Sequence, residues 1–202
     1  MFSLRYFRST ASAIGSISAP FAVLVAEQLF ASGCRLVISV TSAGQITPIG
    51  PTPYFVLIDR ALRDEGTSYH YLPGSTFAEA PDASLLARVE QAGRALPGIA
   101  LHRGATWTTD APYRETESAI ARARRLGALA VEMEAAGLYA FGTTSGRSVV
   151  CFAHVTNSMA QTEGDFEKGE ADGAKATLAV IVTTARAWHE LVTNARVVDK
   201  PQ

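Results

Sequence analysis

A short acidic segment, Val131–Gly137, carries the most informative chemistry in the sequence. Two carboxylates, Glu132 and Glu134, flank Met133 in an otherwise apolar stretch where a predicted strand gives way to a helix. A buried carboxylate must meet hydrogen-bond donors. The vicinal hydroxyls of a sugar supply two, and a thioether offers a soft apolar surface to a ring. The alternative is an acidic first-turn pair that the helix dipole stabilises. That alternative suits Glu132 better than Glu134, which we predict to lie deeper in the helix.

Three further polar segments follow predicted strands. Ligands bind at the carboxyl ends of strands in open α/β sheets, so this shared position favours a common site. Ordinary turns also place polar residues there, and that alternative stays open for each segment taken alone. The segments are Thr41–Gly44, Thr106–Arg114 and Thr156–Ser158.

Composition indicates a globular protein with a small-molecule partner. Of 202 residues, 48% are hydrophobic and 18% charged, and the formal net charge is -1. A charge balance so close to zero argues against nucleic acid or a membrane surface as the main partner. Cys34 and Cys151 lie far apart in apolar runs, as expected of buried thiols in a reducing compartment. We therefore predict a cytoplasmic protein with no metal cluster, signal peptide or membrane span.

Short apolar runs alternate with helical patterns along the chain, which predicts an α/β fold. No linker divides the sequence, so residues 1–202 are predicted to form one domain with a frayed tail after Thr193. The predicted strands are Leu36–Val40, Phe55–Ile58, Ile99–Gly104, Ala128–Val131 and Ser148–Val155. The predicted helices are Ala19–Ser32, Ala83–Leu96, Thr116–Leu126, Glu132–Gly142 and about Ala171–Val192.

The segment VEMEAAGLYA at residues 131–140 resembles the signature of the nucleoside phosphorylases and nucleosidases related to bacterial purine nucleoside phosphorylase and uridine phosphorylase. Three other segments match in family order, and the resemblance covers about residues 13–190. It implies a three-layer sandwich with a central mixed β-sheet flanked by helices, and cleavage of the N-glycosidic bond of a nucleoside with phosphate. The other segments are Arg63–Ser68 followed by Tyr69–Tyr71, Gly104–Asp110 followed by Tyr113, and Ser42–Gly44.

The resemblance assigns a role to each matching position. Glu134 is expected to bind the ribose 2′ and 3′ hydroxyls, and Met133 to pack on the sugar. Ser42 is expected to contact phosphate, and Asn157 is the candidate catalytic residue at the base. Neither a metal nor an organic cofactor is implied, and inorganic phosphate is the cosubstrate. The full expected sets are Glu132, Met133 and Glu134 for ribose, and Ala43, Gly44, Pro112, Tyr113 and Asn157 for the base.

Several positions depart from the family pattern. Asn157 stands where purine-specific members have an aspartate that protonates the base, and Pro112 replaces one of two aromatic residues of the base pocket. Ser39 replaces a phosphate-binding arginine, and the sequence begins after a family segment that carries another. A hydrolytic nucleosidase and a catalytically inactive nucleoside-binding homologue are therefore the alternatives. The resemblance further implies a homo-oligomer, a dimer or a hexamer, with no nucleic acid or membrane partner.

Two arginines flank the Asp64–Ser68 segment. For Arg60 and Arg63 we favour an internal ion pair with Asp64 or Glu65 over a phosphate-binding role.

Overall fold

The computed structural model describes residues 3–6, 9–14, 18–157 and 173–198. Eight strands and five helices alternate through these ranges, with short 3₁₀ turns at Thr67–His70 and Pro112–Arg114. The strands are β1 (Ser3–Tyr6), β2 (Ser9–Ile14), β3 (Cys34–Gln45), β4 (Tyr54–Asp64), β5 (Phe77–Glu79), β6 (Leu101–Thr109), β7 (Ala128–Glu132) and β8 (Ser148–Asn157). The helices are α1 (Ala19–Ala31), α2 (Ala83–Arg94), α3 (Glu117–Arg125), α4 (Ala135–Ser145) and α5 (Ala174–Val198).

The helices begin where local signals place them. Pro20 occupies the first turn of α1, where its missing N–H costs no hydrogen bond. The Asp82 carboxylate accepts from the Leu85 N–H at 2.9 Å and caps α2. Thr116 caps α3 in the same way through the Ala119 N–H. These local contacts explain why the predicted starts of α1 and α2 agree with the structure.

Five strands of the mixed sheet close on themselves in the order β3, β8, β4, β6, β7 and back to β3. The β3–β8, β4–β6 and β6–β7 pairs are parallel, whereas β4–β8 and β7–β3 are antiparallel. β2 and then β1 extend the sheet from β3, and β5 extends it from β4. The sequence did not predict this closure, which gives every strand of the ring two neighbours.

Helices cover both faces of the sheet. α1 and α4 pack over one hydrophobic cluster, centred on residues such as Val37, Tyr139 and Ala153. α2 and α5 pack over a second cluster on the other face, with Leu57, Phe152 and Trp188. The predicted arrangement, a central mixed sheet flanked by helices in three layers, is confirmed. In the described part of the chain, no helix combines the length and hydropathy needed to cross a membrane.

Several predicted boundaries are wrong. β4, β6 and β8 continue beyond their predicted ends, to Asp64, Thr109 and Asn157, so two of the polar segments begin inside strands. Thr41–Gly44, predicted as a turn, continues β3, because β8 and β7 pair with it over that stretch. α4 begins at Ala135, so Glu134 is its N-cap and does not lie deeper in the helix. α5 continues to Val198, beyond the predicted start of the frayed tail. Ser158, the end of one predicted polar segment, lies outside the described residues.

Candidate active site

One edge of β3 changes partner near its carboxyl end. β8 occupies one edge of β3 from Leu36 to Gly44. β2 and β7 therefore both pair with the opposite edge, one after the other. The last pair with β2 is at Ser39, and the first pair with β7 is at Gly44. Among the described strands, none pairs with residues 40–43 on this edge. A change of strand partner of this kind is where α/β sheets bind ligands.

Gly44 brings three segments of the sequence to this point. It pairs with Val131 of β7 on one side and with Asn157 of β8 on the other. Glu132 and the start of α4 follow Val131 directly. The predicted ribose, phosphate and base segments therefore meet at one end of the sheet.

Glu132 is 3% exposed, and both of its carboxylate oxygens are occupied by protein donors. Thr106 and Thr108 donate their hydroxyls to Oε1. The backbone N–H groups of Glu134 and Ala135 donate to Oε2, each at 2.7 Å. Burial raises the pKa of Glu132, and these four donors oppose that rise. The carboxylate holds the first turn of α4 from the end of β7, so the alternative was right in giving Glu132 a structural role but wrong in placing it within the first turn of the helix.

Glu134 contacts β3 at Thr41, within residues 40–43, where one edge has no described partner. Its carboxylate accepts from the Thr41 hydroxyl of β3 and from the Met133 N–H, the latter at 3.1 Å. Burial and then the neighbouring Glu132 raise its pKa to about 8. Glu134 is as buried as Glu132, at 3% exposure, and once it is ionised its carboxylate can accept further hydrogen bonds from a diol.

The other predicted site residues differ in exposure. Ser42 is exposed on β3, Ala43 is buried, and Gly44, Met133 and Asn157 are partly buried. Pro112 and Tyr113 lie in the 3₁₀ turn after β6, and the Tyr113 side chain is fully exposed. The turn follows the strand whose Thr106 and Thr108 bind Glu132, so it starts at the same end of the sheet.

Arg63 has internal partners other than those we predicted. Its guanidinium donates to the hydroxyls of Ser68 and Ser75, at 2.8 Å each, and to the carbonyls of Leu72 and Pro73. It also lies 4.1 Å from the ring centre of Tyr69. The structure gives it no ion pair with Asp64 or Glu65 among the described residues. Asp64 instead accepts from the indole of Trp107, and Glu65 accepts from the Ser68 N–H. The exposed Arg60 lies over the ring of Phe77.

Three threonines lie in the polar segments that the sequence singled out, but no role was predicted for them. Thr41 contacts Glu134, and Thr106 and Thr108 contact Glu132. Thr106 and Thr108 are two residues apart on β6, so they share a face of the sheet. Buried hydroxyls at that spacing, in a strand next to the acidic one, are a signal that could have predicted donors for Glu132.

The two glutamates of the site have no cationic partner among the described residues. No arginine or lysine forms an ion pair with Glu132 or Glu134. Ser39, where the family resemblance predicted an arginine, is 2% exposed in the middle of β3. In the same part of the chain, no group of three potential metal ligands comes together. A groove of about 430 Å³ on the α2–α5 face, beside Phe55 and His154, contains none of the predicted site residues.

Comparison with known proteins places this geometry in a family. A model described as the Phosphorylase superfamily matches residues 9–186. The chain is 31% identical over 126 residues to the DeoD-type purine nucleoside phosphorylase of Myxococcus xanthus, covering 61% of this chain and 52% of that protein. It is 29% identical over 140 residues to the uncharacterized protein R802 of Acanthamoeba polyphaga mimivirus, covering 69% and 53% of the two chains. The chain thus spans about half the length of these curated relatives.

A solved structure shares the fold. A uridine phosphorylase from Vibrio fischeri, crystallised with 6-hydroxy-1-naphthoic acid, superimposes with a TM-score of 0.76 at 22% identity. The match covers 93% of this chain and 77% of that one. The family model spans most of the sequence, and the expected resemblance to nucleoside phosphorylases is confirmed: the chain belongs to the phosphorylase superfamily.

Proposed function

We propose that the protein is a nucleoside phosphorylase, a pentosyltransferase that cleaves the N-glycosidic bond of a nucleoside with inorganic phosphate. The observation that carries this proposal is the buried Glu134 carboxyl group, which accepts from Thr41 and the Met133 N–H where no described strand pairs with one edge of β3. A carboxylate there can accept both hydroxyls of a ribose diol. The purine nucleoside phosphorylase relative and the shared fold support the assignment.

In the proposed reaction, the sugar is the group that the protein holds most firmly. Ionised Glu134 accepts from the 2′ and 3′ hydroxyls, and Met133 packs on the ring. As the C1′–N bond lengthens, its electron pair moves to the base and positive charge builds on the ribose. An oxygen of monohydrogen phosphate then bonds to C1′, and its proton passes through solvent to the departing base, giving ribose 1-phosphate and a free base. The negative charge of Glu134 stabilises the cationic sugar, and the fixed backbone around it orients the sugar.

We assign the base to the other side of Gly44, near Ala43, Asn157 and the turn that carries Tyr113. The Asn157 amide can donate and accept hydrogen bonds but cannot supply a titrating proton. Its catalytic contribution is therefore hydrogen bonding to the base as negative charge develops there. We place phosphate at Ser42, whose side chain is exposed within residues 40–43 of β3.

Hydrolysis is the second candidate, because the described part of the site offers phosphate only neutral donors. Bidentate arginine contacts are the usual way to hold phosphate, and Ser39 is a buried neutral residue at the relevant position. Water would then capture C1′ and release free ribose. A protein that only binds nucleosides is the third candidate.

A panel of purine and pyrimidine nucleosides, incubated with and without phosphate, separates these candidates. We expect free base and ribose 1-phosphate, formed only when phosphate is present. Free ribose at equal rates in both conditions would establish a nucleosidase. Binding without product would establish a nucleoside-binding protein, and neither binding nor product would reject the site.

We also propose that copies of the chain associate through α1, as a dimer or a hexamer. Phe21 and Leu24 of α1 are 54% and 51% exposed, on a helix whose only polar residues are Glu27 and Gln28. A helix of this composition is normally covered on all sides. The exposed Tyr69 adds to the apolar surface near α1. Phe21→Glu should reduce the mass measured by light scattering, and a wild-type monomer at micromolar concentration would reject the proposal.

Both cysteines are free and buried, which fits the cytoplasm as the compartment.

A further inference from the structure

The two carboxyl groups at the start of α4 are bonded in different ways, although only Met133 separates them. Glu132 accepts from four protein donors, two on each oxygen. Glu134 accepts from the Met133 N–H and the Thr41 hydroxyl. The carboxylate of Glu132 therefore has no free position for a ligand hydroxyl, in contrast to its expected role in ribose binding.

The donors of Glu132 include the backbone from which Glu134 projects. Its Oε2 binds the N–H groups of Glu134 and Ala135. Thr108, which donates to Oε1, accepts from the Ala136 N–H at 3.0 Å. These contacts give partners to the N–H groups of Glu134, Ala135 and Ala136, which a helix start otherwise leaves without intrahelical partners. They also fix the backbone of Glu134 relative to β6 and β7.

We propose that Glu132 is a positioning residue for Glu134: it holds the first turn of α4 in place, sets a second negative charge beside the ribose-binding carboxyl group, and does not contact the ligand. This inference rests on the proposed function for the role of Glu134 alone. The positioning itself is a property of the protein without ligand.

Among the described residues, few other titratable groups lie near Glu132 and Glu134. Tyr139 of α4 and Cys151 of β8 interact electrostatically with Glu132, and burial raises the pKa of both, so both are neutral at neutral pH. β3 and β6 contribute the neutral hydroxyls of Thr41, Thr106 and Thr108. α1, which packs on α4 at Gly137, has no acidic residue in its first turn. Glu132 is therefore the neighbouring charge that, after burial, raises the pKa of Glu134.

The hydrogen bonds decide which carboxyl group ionises first. An ionised carboxylate only accepts, and four converging donors favour that form of Glu132 more than two favour it for Glu134. Burial raises the pKa of both groups, and the charge on Glu132 raises that of Glu134 further. The pair consequently takes its first negative charge at Glu132 and becomes fully ionised only when Glu134 loses its proton.

Glu132→Gln tests the proposal because it removes the charge and can keep the positioning. The amide oxygen can accept from the two backbone N–H groups, and the amide nitrogen can donate to the threonine oxygens. Glu132→Met removes both functions. Glu65→Gln is the matched control, since Glu65 is also buried but belongs to another segment and has no effect on the ionisation of Glu134.

Two measurements are made on each variant. Carbon-13 NMR of the glutamate carboxyl groups gives the titration midpoint of Glu134 without any ligand, with the resonance assigned from Glu134→Gln. Calorimetry with a nucleoside that the wild type binds gives affinity against pH. In the wild type we expect Glu132 to titrate at lower pH than Glu134. The reverse order would overturn the proposal even if no Glu132 variant folds.

We expect Glu132→Gln to lower the midpoint of Glu134 by at least about one pH unit and to tighten nucleoside binding at pH 7 by roughly fivefold. Glu132→Met should weaken binding at every pH, and Glu65→Gln should leave midpoint and affinity unchanged. An unchanged midpoint in Glu132→Gln would show that the charge on Glu132 does not act on Glu134, and an equal loss of affinity at every pH would show that Glu132 contacts the ligand; either result would overturn the proposal. If the midpoint moves but the wild type binds no nucleoside, the positioning role stands and the proposed function fails.

Discussion

The Arg63–Ser68 segment and the Val131–Gly137 segment both match the family pattern, and each has a buried charged side chain among its first two residues. Arg63 is surrounded by hydroxyls and carbonyls of its own loop, and Glu132 by two hydroxyls of the neighbouring β6 and two N–H groups of its own strand–helix junction. The segments differ in what comes next. After Glu132 comes Glu134, a buried carboxyl group with two protein donors next to a stretch of β3 where one edge has no described partner, whereas Asp64 and Glu65 are bound to Trp107 and Ser68.

This difference shows how to separate architecture from chemistry within a family motif. A charged group whose hydrogen-bonding capacity is filled by the protein shapes the backbone. A charged group whose hydrogen-bonding capacity the protein fills only in part can bind a ligand. By that criterion the first segment is architectural, and the second combines an architectural residue with a functional one. The four predictions that follow test this division.

The largest effect is expected for Arg63→Ala. The substitution leaves two serine hydroxyls and two carbonyls without their shared donor, so the free energy of unfolding should fall by about 4 kcal/mol. Nucleoside affinity of the folded protein should not change. Urea denaturation measures the loss, and Arg60→Ala is the control. Arg60 is exposed over Phe77, so its removal should cost less than about 1 kcal/mol. Equal stability of the two variants would contradict the architectural assignment.

Stability should decrease with rising pH, because the folded-state pKa of Glu134, about 8, lies above its ordinary value of 4.5. The folded protein then holds the proton more tightly than the unfolded chain, so the stabilisation is complete below about pH 4.5 and is lost as pH rises through about 8. We expect a loss on the order of 3 kcal/mol over this window. Glu134→Gln should reduce the slope, which denaturation at a series of pH values would reveal. An identical slope would contradict the buried carboxyl pair.

Glu134→Gln should also weaken nucleoside binding by about 10- to 100-fold, or about 1.5–3 kcal/mol, because one amide oxygen replaces two charged acceptors. Its stability at pH 7 should be no lower than that of the wild type. Glu65→Gln should show the opposite pattern, losing stability and retaining affinity. Calorimetry and denaturation on both variants measure the comparison, and wild-type affinity in Glu134→Gln would remove Glu134 from the site.

The smallest effect is expected for Gly137→Ala. A Cβ at this position would lie 2.9 Å from the Cβ of Ala19 and 3.3 Å from Cγ2 of Val23, so α1 and α4 must move apart slightly. We expect a cost of about 1–2 kcal/mol. Gly66→Ala in the other segment is the control, because nothing lies within 4 Å of its added Cβ. Thermal denaturation of both variants checks this, and an equally small cost would show that the α1–α4 contact tolerates expansion.

The sequence predicted the elements that depend on local signals. The starts of α1 and α2 agree because Pro20 and Asp82 act within one turn of their helices. The carboxyl end of β3 was missed because small polar residues are typical of turns, and only pairing with β7 and β8, distant in sequence, makes them a strand. Closure of the five-strand ring rests on the same distant pairings.

The site was predicted in part for a similar reason. Two carboxylates around Met133 indicated a polar site, but their different roles depend on which donors reach them. Thr106 and Thr108 come from a neighbouring strand, and Thr41 comes from another. The internal role of Arg63 was predicted correctly, but its partners were not, since a sequence does not show whether a guanidinium will find carboxylates or carbonyls. The ribose, phosphate and base assignments stay predictions.

The closed ring of five strands also constrains how the protein is made. β3 is synthesised early, yet its ring partner β8 comes near the end of the chain, with Leu36 pairing with Ser148. Such long-range pairing makes folding slow, because a large loop must close before the contacts form. While the ribosome adds the intervening residues, the edge of β3 that β8 will occupy stays without its partner and open to other chains. The five-strand ring can close only after β8, the last of the described strands, has left the ribosome. Until then the new chain is open to aggregation through the unpaired edge of β3.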